Sequence, residues 1–163
     1  MKQRGVCHRD IKPENILYDP ETGDMRLIDF ELSRMKKYKR DEMDLWTRTG
    51  TLFYRAPESF SLGYGESVDM WAAGVLLFEM LSGSLPFASS SLGDAISEIR
   101  SKQINFDALQ VSGAAKRLLM GMLQREVSLR LSPEAAMREV FFLKNFSSTF
   151  KVKYPFHGSL ISF

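Results

Sequence analysis

A mainly α-helical domain carrying one small β-hairpin is the fold class that this sequence predicts, on three observations. Residues 68–81 are apolar nearly all round, with only Asp69 and Glu79 charged, which is the pattern of a helix enclosed by protein on every side. Residues 94–100 and 112–123 instead keep one apolar face at helical spacing; in the second, Ala115, Leu118, Leu119, Met122 and Leu123 share a side. Nearer the start, short apolar or β-branched runs at 16–18 and 25–28 flank the turn-rich Asp19-Pro20-Glu21-Thr22-Gly23-Asp24, and so read as two strands joined by a loop.

Between hairpin and helices, residues 29–64 sustain neither period and carry a basic cluster, Arg34, Lys36, Lys37, Lys39 and Arg40, followed by Asp41, Glu42 and Asp44. So long an irregular stretch inside a compact domain is usually functional or mobile, and the charge cluster reads as a solvated loop face, with a docking patch as the alternative. Ser67 is the expected cap of the buried helix, because its hydroxyl can accept an otherwise unpaired N–H of the first turn. A last helix is expected to open at Ser132-Pro133-Glu134, where serine caps, proline brings a preset φ to the first position and glutamate meets the positive end. It is expected to run to about Phe142. The remainder is aromatic and basic without a clear period, which divides the chain into a domain over 1–145 and a loosely attached tail over 146–163.

A chain of 163 residues can bury a sizeable core without disulfides. Its single cysteine, Cys7, excludes an intramolecular disulfide framework and fits a reducing compartment. The net charge of +2 is too balanced to announce a nucleic-acid or membrane-surface binder. No apolar run near the start could serve as a signal-peptide core, and the longest uncharged apolar run falls well short of the about 20 residues a membrane span needs. The cytosol or nucleus is therefore the expected compartment.

Chemistry concentrates in HRDIKPEN, residues 8–15, and in LIDF, residues 27–30, after the next strand. Transfer of a phosphoryl group asks little covalent work of a protein: it needs a carboxylate near the acceptor hydroxyl and oxygen ligands for the magnesium ions that bridge the phosphates. Asp10 can accept the hydroxyl proton, Asn15 and Asp29 can hold the metals, and Lys12 can neutralise charge on the moving phosphate.

In these motifs, and in GTLFYRAPE ending in Ala56-Pro57-Glu58, the sequence resembles the eukaryotic protein kinase family. Asp69, Trp71, Gly74 and Arg130 also match, so the resemblance spans most of residues 5–142. It implies the C-terminal lobe of a Ser/Thr protein kinase, using ATP and Mg and acting on a protein substrate with a Ser or Thr acceptor, with neither nucleic acid nor membrane as partner. By the same resemblance Asp10 is the catalytic base and Lys12 the phosphate-contacting lysine of Ser/Thr-specific members, while Asn15 and Asp29 are the metal ligands. Leu17 resembles the apolar residue beneath the adenine ring, and Glu14 one that lies near the ribose or a basic substrate side chain. His8, Phe30 and Asp69 match an internal stack, and Glu58 and Arg130 a buried ion pair. Arg9 matches the arginine that pairs with a phosphate on the activation segment; Thr47 falls at the usual phosphosite and Thr49 is the second candidate. Thr51 resembles a threonine that hydrogen-bonds the catalytic Asp and Lys.

The phrase GVLLFEMLSGSLPF is most similar to calcium/calmodulin-dependent kinases and their relatives, whereas Tyr54-Arg55 is similar to proline-directed kinases. Two departures stand out. Glu31 takes the third place of the magnesium loop, where the family has glycine. Only seven residues precede His8, so the glycine-rich loop, the strand lysine and its partner glutamate of an N-terminal lobe are not found in the sequence. That implies a missing N-terminal lobe or an activating partner, and an uncovered side on the helix at 68–81. The alternative is a catalytically inactive, pseudokinase-like module that binds partners.

Overall fold

The computed structural model describes residues 6–35, 51–61, 64–141, 151–152 and 161–162. The expected hairpin is present: β2 (Ile16–Tyr18) runs antiparallel to β3 (Met25–Leu27), with Ile16 opposite Leu27 and Tyr18 opposite Met25. Its connection is tied by local hydrogen bonds, from the Asp19 N–H to the Asp24 carbonyl at 2.9 Å and from the Gly23 N–H to the Asp19 carbonyl at 2.8 Å. Gly23 sits at φ 75°, a left-handed position that glycine fills without steric cost.

Sequence periodicity does not show the second strand pair, β1 (Val6–Cys7) with β4 (Arg34–Met35), because two residues are too few to establish an alternation. The stretch read as irregular also holds two short 3-10 turns, Thr51–Tyr54 and Pro57–Phe60. A third, Pro13–Asn15, leads straight into β2.

Around α1 (Ser67–Ser82) the rest is assembled. Trp71 and Val75 are wholly buried, and no residue from Ser67 to Leu81 is exposed. No fully exposed side appears on this helix: Met70, Ala73, Leu77 and Leu81 are half-buried and pack against a cluster that includes Ala115, Leu118 and Met122. Ser67 is not the cap. It is the first helical residue, Glu66 holds the cap position without a side-chain hydrogen bond, and the Ser67 hydroxyl faces Glu58 at 3.5 Å. The Ser67 carbonyl accepts from Arg130 Nη1 at 3.0 Å.

Serine caps the next two helices. Ser91 accepts from the Asp94 N–H at the start of α2 (Leu92–Ser101), and Ser112 from Ala115 at the start of α3 (Gly113–Met122). Ala115, Leu118, Leu119, Met122 and Leu123 are all buried. In α4 (Pro133–Ala136) Ser132 caps as expected, but the helix expected to run to about Phe142 is interrupted after four residues and is helical again at Val140 and Phe141. There the backbone bonds tighten to three-residue steps, Arg138 to Ala135 and Glu139 to Ala136, and Phe141 is buried beside Ala136. Within 146–163 the described elements are β5 (Lys151–Val152) and β6 (Ile161–Ser162), paired antiparallel.

Candidate active site

His8 and Arg9 turn the chain sharply before Asp10. Arg9 lies at φ 72°, a left-handed conformation that costs a non-glycine residue about 1–3 kcal/mol. Asp69 on α1 holds it there: its two carboxylate oxygens accept the N–H groups of His8 at 2.7 Å and Arg9 at 2.8 Å. Hydrogen bonds to a charged group contribute about 1.5–3 kcal/mol each, enough to outweigh the strain. The guanidinium of Arg9 is held separately, donating to the Tyr64 hydroxyl and lying 5.1 Å from the centre of that ring.

The His8 ring is a strut. Its Nδ1 accepts from the Asp10 N–H at 3.3 Å and its Nε2 lies 3.0 Å from the Ile28 carbonyl, two contacts that the neutral Nε2–H tautomer satisfies together. Phe30 meets the same ring edge-on at 4.7 Å. Residues 8–10, residues 28–30 and α1 are thus joined through His8 and Asp69.

Asp10, 6% exposed, is clamped on one side only. Its Oδ2 accepts from Lys12 Nζ at 2.6 Å and from Asn15 Nδ2 at 2.9 Å, while Asn15 Nδ2 also donates to the Asp10 carbonyl at 2.8 Å. Both amide hydrogens of Asn15 are thereby used on Asp10, which leaves Oδ1 as the oxygen it can offer a cation. Asp10 Oδ1 is buried and has no hydrogen-bond partner among the described residues. An orphaned buried carboxylate oxygen is costly unless something else binds it.

Asp29 reaches the site through the hairpin. The Ile28 N–H donates to the Asn15 carbonyl at 2.9 Å, extending the β2–β3 ladder and setting Asp29 just beyond it. Asp29 is exposed and takes φ 62°. Glu14 and Leu17 lie on the same segment and are exposed, Leu17 at 53%. Among the described residues no three His, Cys, Asp or Glu side chains form a cluster that could hold a metal. Asn15 and Asp29 carry oxygen donors of the kind magnesium takes beside nucleotides, where phosphate and water supply its other ligands. Cys7 is no candidate nucleophile: burial, and then the charge of Asp69, push its thiol up to about 12, so it stays protonated.

Farther from the cleft, the expected pair forms. Arg130 Nη1 and Nη2 meet Glu58 Oε1 and Oε2 at 2.5 and 2.8 Å, and its remaining N–H groups reach the carbonyls of Gln124, Ser67 and Arg125. The guanidinium lies 5.2 Å from the Trp71 ring centre. Two participants were not singled out from sequence. Tyr64 pairs with Arg9 across 55 positions, with no local signal. Glu79 accepts from the Tyr54 hydroxyl, and its isolation as a charge on an apolar helix was a usable sign. Thr47, Thr49 and the Thr51 side chain lie outside the described residues.

Comparison with known proteins agrees with this geometry. A family model described as the protein kinase domain matches residues 1–142. CBL-interacting serine/threonine-protein kinase 15 of Arabidopsis thaliana is 41% identical over 150 residues, covering 91% of this chain and 35% of the relative. Calcium/calmodulin-dependent protein kinase type I of Schizosaccharomyces pombe is 38% identical over 148 residues, covering 86% of this chain and 44% of the relative. CBL-interacting protein kinase 5 of Oryza sativa subsp. japonica is 35% identical over 154 residues, with 93% and 33% covered. The chain therefore spans between about a third and less than half of the length of these relatives.

Proposed function

The chain belongs to the protein kinase family, and from that premise we propose that it is the C-terminal catalytic lobe of a Ser/Thr kinase, supplying the groups that pass the ATP γ-phosphate to a protein hydroxyl. What supports this most directly is the Asp10 carboxylate, held by Lys12 and Asn15 through Oδ2 while the buried Oδ1 is left for a ligand. The acceptor hydroxyl hydrogen-bonds to that oxygen. As its oxygen forms a bond to the γ-phosphorus, the bond from phosphorus to the ADP oxygen breaks and the proton passes to Asp10. Lys12, beside Asp10, offsets charge on the transferring group. Magnesium, held by Asn15 and Asp29 when bound, neutralises charge on the phosphates. Leu17 supports the adenine from below and Glu14 lies near the ribose or a basic substrate side chain.

Regulation follows from Arg9, which would receive a phosphate placed on Thr47, or secondarily Thr49, while Thr51 would tie the segment to Asp10 and Lys12. Among the described residues no helix is long and apolar enough to cross a membrane, and the cytosol or nucleus is the compartment proposed.

A chimera tests this reading. The chain replaces the matching 150 residues of the Arabidopsis thaliana relative, which supplies the rest of the enzyme. Incubated with magnesium and γ-labelled ATP, the chimera should label Ser or Thr acceptor peptides and leave Tyr peptides unlabelled. A folded chimera that labels neither, beside an active parent enzyme, would favour the pseudokinase-like binding module.

A further inference from the structure

Position 31 is where the chain departs from the kinase pattern, with Glu31 following Asp29 and Phe30 in place of glycine. Glycine is favoured where the backbone takes positive φ, because it has no Cβ to clash. Among the described residues other than glycine, positive φ occurs only at Arg9 and Asp29, so Glu31 occupies a backbone conformation open to any L-residue. The left-handed step of this loop is made at Asp29 itself.

Contacts on both sides hold the loop. The Ile28 N–H donates to the Asn15 carbonyl at 2.9 Å, and the Ser33 N–H closes a turn onto the Phe30 carbonyl at 3.0 Å. The Ser33 hydroxyl reaches the His8 carbonyl at 3.4 Å, and β4 follows at once, paired with β1. Inside the turn the Glu31 N–H donates to Asp29 Oδ1 at 3.4 Å. Glycine at 31 would fit the same folded geometry, but it would also enlarge the set of open conformations that compete with it; a side chain removes many of them. The carboxylate itself is exposed, where solvent and salt screen its charge.

We propose that Glu31 is a positioning residue: by restricting its own backbone it holds Asp29 in the orientation seen here. The catalytic consequence rests on reading Asp29 as a magnesium ligand, whereas the rigidity of the loop can be measured without metal or nucleotide.

Hydrogen exchange read by mass spectrometry on the whole chain, free of magnesium and ATP, separates backbone restriction from charge. Glu31→Gly should speed exchange over residues 28–33 by roughly two- to fivefold. Glu31→Ala and Glu31→Gln should exchange like the parent chain, and peptides from α1 should be unchanged in all three. Equal rates in Glu31→Gly and the parent would overturn the proposal, as would loosening that extends to α1. Loosening by Ala or Gln as large as that by Gly would also overturn it, by assigning the effect to the carboxylate. Failure of the kinase reading itself would appear in the transfer assay and leave these rates where they are.

Discussion

Arg9 shows how much of a site depends on residues far away in sequence. The spacing of Asp10, Lys12 and Asn15 was legible because all three lie within one turn of chain and their chemistry is local. That Arg9 would be left-handed was not legible, since the carboxylate that holds it there belongs to Asp69, 60 residues on. Glu58 and Arg130 are farther apart still, at 72 residues, and were recovered through resemblance rather than through any local pattern. Arg130, whose side chain is wholly buried, spends each of its five N–H groups on Glu58 and three carbonyls. Removing the partner leaves a buried cation uncompensated, so Glu58→Ala should destabilise the chain by about 3–5 kcal/mol in denaturant unfolding. An exposed-pair value below about 1 kcal/mol would show that Arg130 finds water or another anion.

At the scale of elements, helices with strong periodicity and a serine cap were read within a residue or two, since both signals are local. The errors arose where tertiary contacts decide. Ser67 has the chemistry of a cap, yet it is the first helical residue, with its carbonyl bonded to Arg130 and its hydroxyl facing Glu58. The last helix is interrupted over 137–139, where the backbone bonds shorten to three-residue steps. Gly74 illustrates a constraint between elements: a Cβ there would come within 2.9 Å of Met122 Cβ and 3.0 Å of Leu123 Cδ2. Met122 Cβ is fixed to the α3 backbone and cannot swing aside, so Gly74→Ala must separate α1 from α3. A loss of about 1–3 kcal/mol in stability is expected. An unchanged unfolding midpoint would mean that the two helices are free to shift.

For the whole molecule, length and composition pointed to a globular domain, and the kinase motifs identified its family. The β1–β4 pair and the 3-10 turns were not legible, because elements of two to four residues leave no measurable period. What the assembled chain achieves is to bring a one-sided carboxylate, a lysine and two oxygen-bearing side chains onto a frame anchored by α1. If Asp10 is the base, its contribution belongs to the transition state and not to nucleotide binding. In the chimera, Asp10→Asn should therefore lower kcat by roughly 10²–10⁴ while the KM for ATP changes little. A kcat kept within about threefold of the parent chimera would contradict the central claim that Asp10 Oδ1 receives the acceptor proton.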